Sequence, residues 1–174
     1  NVGGVHGRAQ NGALAAGTID TYLIWRLTGG RAHVTDVSNA SRTLLMDITT
    51  GEWDDDLLKF FGVPRSLLPE IKDSSGLFGT TQGMKIIPDG VPITGVAGDQ
   101  QAALFGQTCF AEGESKCTFG TGSFLLINSG QERVRSNSGL LTTAGWRLKG
   151  DKKITYALEG GAFICGAAVQ FLRD

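Results

Sequence analysis

Val91-Pro92-Ile93-Thr94-Gly95-Val96-Ala97-Gly98-Asp99-Gln100-Gln101-Ala102-Ala103-Leu104-Phe105-Gly106 changes character twice within sixteen residues. Val91–Val96 is a short apolar, β-branched run, which predicts a buried strand. Gly98-Asp99 ends it, and a helix is expected from Gln100 to about Gly106. Strand, glycine, acid and helix in that order indicate an α/β fold. In such folds ligands gather beyond the carboxyl ends of the strands. Asp99 stands at that end, where a carboxylate serves as general base or sits near a metal. The same pattern also fits an N-cap, whose carboxylate accepts from backbone N–H groups. Local pattern leaves both readings open.

On the C-terminal side, Lys116–Phe119 and Ser123–Asn128 flank Gly120-Thr121-Gly122 and predict a β-hairpin. Leu140–Leu148 and Lys153–Leu158 predict two more strands, and Gly160-Gly161 opens a final helix to about Arg173. Four strands and then a helix suit the start of a ribonuclease-H-like domain. Small residues in the hairpin turn expose backbone N–H groups and a hydroxyl to an anion. An ordinary tight hairpin has the same composition. The turn is neither a Walker A loop nor a GxGxxG fingerprint. Gly166 and Gln170 are four apart and share a helix face. There a glycine would admit a flat ligand and a glutamine would bond it, or the small residues would serve helix packing.

On the N-terminal side, residues 1–12 are Gly-rich and unpatterned and read as a loop. Ile19, Leu23 and Leu27 give helical spacing within 13–27, and Gly29-Gly30 gives the stop. Residues 32–46 mix loop and strand. Asp54-Asp55-Asp56 opens a helix through Leu57–Phe61, where the helix dipole favours acids. Pro64 starts a turn and 66–68 one helical turn. A short strand is expected at Lys85–Ile87. The best composition break lies at Ala111–Gly113, giving domains 1–110 and 111–174. Trp25, Trp53 and Trp146 are expected in the core, the cysteines as buried small hydrophobes, and Glu70, Lys72 and Asp73 on a solvated face.

Composition narrows the classes further. The 174 residues carry a formal charge of −1, against a protein held to nucleic acid or membrane by bulk charge. With 41% hydrophobic residues there is enough apolar surface for a core, which argues against wholesale disorder. No apolar run approaches the roughly 20 residues of a membrane span. Twenty-six glycines are about twice the usual share, which points to tight turns and close backbone approach. Cys109, Cys117 and Cys165 form neither a disulfide framework nor a zinc site, as expected of a reduced, cytosolic chain. His6 and His33 have no ligand-spaced partners. The Asn-Val-Gly-Gly start and the close on Leu172-Arg173-Asp174 suggest an internal piece of a longer protein.

The order of these blocks carries a resemblance. Gly17–Gly30, His33–Asp36, Asn39–Thr43, Gly98–Gly106, Phe119–Phe124, Gly139–Thr143 and Tyr156–Gly160 resemble the glycerol kinases of the FGGY family of carbohydrate kinases. The match runs from Asn1 to Asp174, and Gly98–Gly106 with Phe119–Phe124 are its specific parts. The resemblance implies an actin-like (ribonuclease-H-like) two-domain kinase, of which this chain holds the end of the first domain and the start of the second. It implies transfer of the ATP γ-phosphoryl group to a terminal hydroxyl of glycerol, with Mg²⁺, in a cytoplasmic homo-oligomer. Asp99 matches the catalytic base, which also contacts glycerol. Gln100 and Phe124 match glycerol-contacting positions, Phe124 covering the carbon backbone. Gly120, Thr121 and Gly122 match the ATP phosphate site, and Gly166 and Gln170 match nucleotide contacts. The resemblance assigns no metal ligand to this stretch.

Departures follow from the same comparison. The family's N-terminal phosphate segment with its metal-associated Asp, the Arg-Glu pair and Tyr of the glycerol site, and the adenine-binding part are absent. The isolated 174 residues are therefore expected to be inactive. Gly90 stands where some bacterial members carry a basic residue used in fructose 1,6-bisphosphate inhibition, so none is expected here. Ala16 replaces a usual aromatic, a packing change. Two alternatives remain: a related polyol or sugar kinase, for erythritol or xylulose, and a non-catalytic kinase-like protein that binds nucleotide.

Overall fold

A computed structural model describes residues 4–174. The elements are α1 (Val5–Gln10), α2 (Ile19–Leu27), β1 (Val34–Asp36), α3 (Val37–Ala40), β2 (Met46–Asp47), β3 (Glu52–Trp53), α4 (Asp55–Phe61), β4 (Glu70–Lys72), β5 (Ser75–Thr80), β6 (Pro92–Gly95), α5 (Asp99–Gly106), β7 (Ser115–Phe119), β8 (Ser123–Gly130), β9 (Leu141–Trp146), β10 (Thr155–Ala162) and α6 (Gly166–Arg173). Single 3₁₀ turns occupy Ser41–Thr43 and Arg65–Leu67. The chain divides into two compact units. One runs to Val96 and adds Arg147–Asp151, and the other holds Ala97–Trp146 with Lys152–Asp174.

The first unit is built from two-stranded pieces. β1 pairs in parallel with β4, β2 with β3 and β5 with β6 antiparallel. Ile24 of α2, Val34 of β1 and Phe78 of β5 form its buried cluster, with Ala32, Ile93 and Val96 packed on it. Asp36 ends β1 and caps α3: its carboxylate accepts from the N–H groups of Ser38 (3.1 Å) and Asn39 (3.0 Å). The Ser74 hydroxyl donates to it at 2.7 Å, tying the entry of β5 to the end of β1. These donors offset the cost of burying Asp36 completely, since an unpaired buried carboxylate is costly. Arg147–Asp151 join this unit through the Arg147–Asp73 ion pair, Ser74 N–H to the Arg147 carbonyl (2.7 Å) and Lys149 N–H to the Ser75 hydroxyl (2.8 Å).

The second unit is one antiparallel sheet in the order β7-β8-β10-β9, with α5 packed on β7 and β8. Leu104 of α5 and Leu126 of β8 are fully buried. Gln101 donates its amide to the Ala144 carbonyl at 3.4 Å, and Phe105 meets Trp146 edge to face at 5.2 Å.

Several expectations hold. Asp54 caps α4 through the N–H groups of Asp56 and Leu57, and the hairpin, β9 and α5 lie where spacing put them. Others need correction. The reading of 1–12 as loop fails over Val5–Gln10, which is helical with only Ala9 buried, too little apolar period to see; residues 1–3 lie outside the described residues. α2 begins only at Ile19. Residues 37–40 form a helix inside the stretch read as loop and strand. Lys85–Ile87 is no strand, and Ile86 is 94% exposed. The strand is β5, hidden from propensity by Gly76 and Gly79. A Cβ at Gly79 would lie 2.7 Å from Thr28 Cγ2, so glycine lets β5 press on the end of α2. β6 exists but is largely exposed, because it has one partner strand only. Gly160-Gly161 do not open a helix. They stay in β10, paired with Leu125 and Phe124, and α6 starts at Gly166. Trp25 is 42% exposed and stacks near Tyr22, while Trp53 and Trp146 are buried. Cys109 is buried, but Cys117 is exposed and Cys165 half-buried. Of the face expected to be solvated, Asp73 is half-buried in its pair with Arg147.

Candidate active site

All the predicted site residues fall in the second unit. Asp99 is the first residue of α5, after the cap residue Gly98. It is exposed, and its carboxylate accepts from the Gln100 side-chain amide at 3.0 Å rather than from the helix backbone. The N-cap reading therefore fits Asp36 and not Asp99. A negative charge in the first turn is also favoured by the helix dipole.

Gln100 leads to a residue that sequence reasoning missed. The Lys116 ammonium donates to Gln100 Oε1, to Thr118 Oγ1 (2.8 Å) and to the Phe124 carbonyl (3.5 Å). Lys116 is 2% exposed and is the one buried residue of β7. Burial lowers its pKa from the ordinary lysine range, and Asp99, Cys117 and Glu159 act against that shift. The register explains the grouping. Lys116 pairs with Leu126, which pairs with Glu159, and Thr118 pairs with Phe124, which pairs with Gly161. Paired residues share a sheet face and so do residues two apart, so all six line one face. The only sequence signal was a lone lysine at a position alternating with exposed Ser115 and Cys117.

The hairpin turn meets α6. Cys165 N–H donates to the Thr121 carbonyl (2.8 Å) and Gly166 N–H to the Gly120 carbonyl (2.9 Å). The turn thus satisfies the donors at the start of α6. It also explains two glycines sterically. A Cβ on Gly122 would lie 2.6 Å from the Ala162 carbonyl oxygen, and one on Gly166 would overlap the Gly120 carbonyl oxygen. Gly120 has no such constraint: its nearest neighbour would be 3.7 Å away. Thr121 and Gln170 are exposed. Phe124 is half-buried, with its ring 3.5 Å from where a Cβ on Gly161 would stand. The structure therefore gathers Asp99, Gln100 and Phe124 around Lys116, and Gly120–Gly122 against Gly166. Gln170 stands one turn further along α6.

Among the described residues no group of three or more His, Cys, Asp or Glu is arranged to hold a metal, and no helix is long and apolar enough to cross a membrane.

The family model described as "FGGY family of carbohydrate kinases, N-terminal domain" matches residues 5–106. The chain belongs to the FGGY family of carbohydrate kinases. Its relatives include glycerol kinase of Bdellovibrio bacteriovorus, 63% identical over 174 residues, which are 100% of this chain and 35% of that protein. Glycerol kinase of Myxococcus xanthus is 61% identical over 98% of this chain and 34% of its own length. Among solved structures, Plasmodium falciparum glycerol kinase with ADP superposes with a TM-score of 0.92 at 45% identity, over 99% of this chain and 34% of that one. A ligand-bound xylulose kinase of Lactobacillus acidophilus gives 0.73 at 22% identity over 90% of this chain and 31% of its own, a likeness of fold alone. The α/β, actin-like architecture expected from the sequence is that of these FGGY kinases. The chain spans about a third of the length of the curated relatives it matches.

Proposed function

We propose that the full-length FGGY protein transfers the γ-phosphoryl group of ATP to a terminal hydroxyl of glycerol, giving glycerol 3-phosphate. The observation that carries this reading is Asp99: a carboxylate at the mouth of α5, exposed and not engaged as a cap, beside an oriented Gln100. The glycerol kinase relatives match across the whole chain, which supports glycerol over other polyols. Phosphoryl transfer is mostly positioning and charge stabilisation. Asp99 accepts the proton of the attacking hydroxyl as the new O–P bond forms and the γ-phosphorus–oxygen bond to the departing ADP breaks. Gln100 bonds the polyol and Phe124 covers its carbon chain. Gly120, Thr121 and Gly122 take the ATP phosphates, and Gly166 and Gln170 the rest of the nucleotide.

Mg²⁺ in kinase sites is usually held by one or two carboxylates together with substrate phosphates. The chain presents no preformed cluster for it among the described residues, and the roles above are those of its own residues. We further propose that residues 1–110 close the family's first domain and 111–174 begin its second; the family match ending at residue 106 supports this division, whereas the compact units part at Val96 and Ala97. A cytoplasmic dimer or tetramer completes the reading.

The test is a coupled assay of ADP release by the full-length protein with ATP, Mg²⁺ and glycerol, with xylulose and erythritol as controls. Glycerol-dependent release is expected. Preference for either control would assign a different polyol, and ATP binding without turnover would assign a non-catalytic role.

A further inference from the structure

The structure assigns Lys116 as a positioning residue of this site, one that holds the Gln100 carboxamide by its oxygen and so turns the amide nitrogen toward Asp99. The assignment rests on the kinase reading above. An ammonium only donates. Its bond to Gln100 therefore fixes which end of the carboxamide faces β7: the oxygen, with no alternative flip. The nitrogen is left facing Asp99 Oδ2 at 3.0 Å, where a donor meets an acceptor-only carboxylate. Lys116 is itself held, because its three donors have three acceptors on Gln100, Thr118 and the Phe124 carbonyl. A buried cation so engaged does not swing, and charge-assisted bonds are about twice as strong as neutral ones.

The consequence concerns recognition. With its oxygen drawn to Lys116, Gln100 presents its N–H donors on the Asp99 side, while Asp99 offers only an acceptor. A donor beside an acceptor suits hydroxyls, which donate and accept at once. Without Lys116 the exposed Asp99 alone holds the carboxamide, which is then free to swing away from β7 and no longer presents its N–H at a fixed place. Lys116 therefore acts on the polyol through Gln100 and does not touch the reacting atoms.

The test is a double-mutant cycle in the full-length protein. Lys116→Met should raise KM for glycerol about tenfold or more, the usual effect of losing a charged hydrogen bond, with KM for ATP unchanged. In a Gln100→Ala background the same substitution should change KM for glycerol less than about twofold, because groups acting through one another are non-additive. Should Lys116→Met fail to fold, Lys116→Gln takes its place in the cycle. Additive losses, or equal rises in KM for glycerol and ATP, would overturn the assignment. If the unmutated protein turns over no polyol, the kinase reading fails by itself. A crystal structure of the Lys116 variant then decides the positioning: the Gln100 amide turned from Asp99 sustains it, an unmoved amide refutes it.

Discussion

Asp99 and Asp36 share one local pattern, an acid between a strand and a helix, and their environments separate them. Asp36 is buried and surrounded by donors from Ser38, Asn39 and Ser74. Asp99 is exposed, and among the described residues the Gln100 amide is the side-chain donor to it. A carboxylate whose acceptors are already filled is structural; one left at a helix mouth is available to a substrate proton. At this scale the expectation is that Asp99→Asn in the full-length protein lowers kcat by about 10²–10⁴-fold, the range of general acid–base catalysis. The Kd for ATP should stay within about twofold of the unmutated value. Turnover at the original rate would move the base to another residue. The acid itself was legible in the sequence, because strand, glycine and acid follow one another. Lys116 was not, because its importance comes from three strands in register and a helix laid over them.

At the scale of elements, the β7–β8 turn and the start of α6 form one unit of backbone. The carbonyls of Gly120 and Thr121 accept from Gly166 and Cys165, and Gly122 and Gly166 are glycines because nothing larger fits. Sequence suggested close approach of a ligand at these positions; the structure shows close approach of the chain to itself. The two uses are separable by experiment. Gly166→Ala should destabilise the nucleotide-free, full-length protein by about 1–3 kcal/mol, the usual cost of overpacking, read as a fall in Tm. An unchanged Tm with weakened ATP binding would mean that the glycine serves the nucleotide alone. The misplaced helix start has the same origin. Gly160-Gly161 look like a helix opening until Phe124 is laid across Gly161 from the neighbouring strand.

For the whole molecule, the balance of buried and exposed apolar surface governs behaviour. α6 has no buried residue, and Phe171 and Leu172 are 81% and 83% exposed. Phe163, Ile164 and Val169, close in sequence, are exposed as well. So many large apolar side chains left exposed within residues 163–172 are of the kind that normally contacts something else. The 174 residues expressed alone should therefore self-associate and show no glycerol-dependent ADP release. Light scattering after size exclusion, with the assay run on the monomer fraction, checks both. A monodisperse, active monomer would show that the site is complete within this stretch.

What the sequence by itself determined is the order of elements around the motifs and the family they belong to. Strand, Gly98-Asp99 and α5, then a hairpin closed by Gly120-Thr121-Gly122, are local patterns, set by propensity, side-chain period and turn chemistry within a few residues. What only the tertiary structure decided is which neighbours those residues meet. It buried Asp36 and left Asp99 open, and put a lysine ammonium beneath Gln100. It used Gly122 and Gly166 to let backbone touch backbone, and made a strand of Ser75–Thr80 despite its glycines. The physical reason is range. Propensity acts between residues near in sequence, whereas burial, cross-strand register and steric exclusion act between residues that the fold alone brings together.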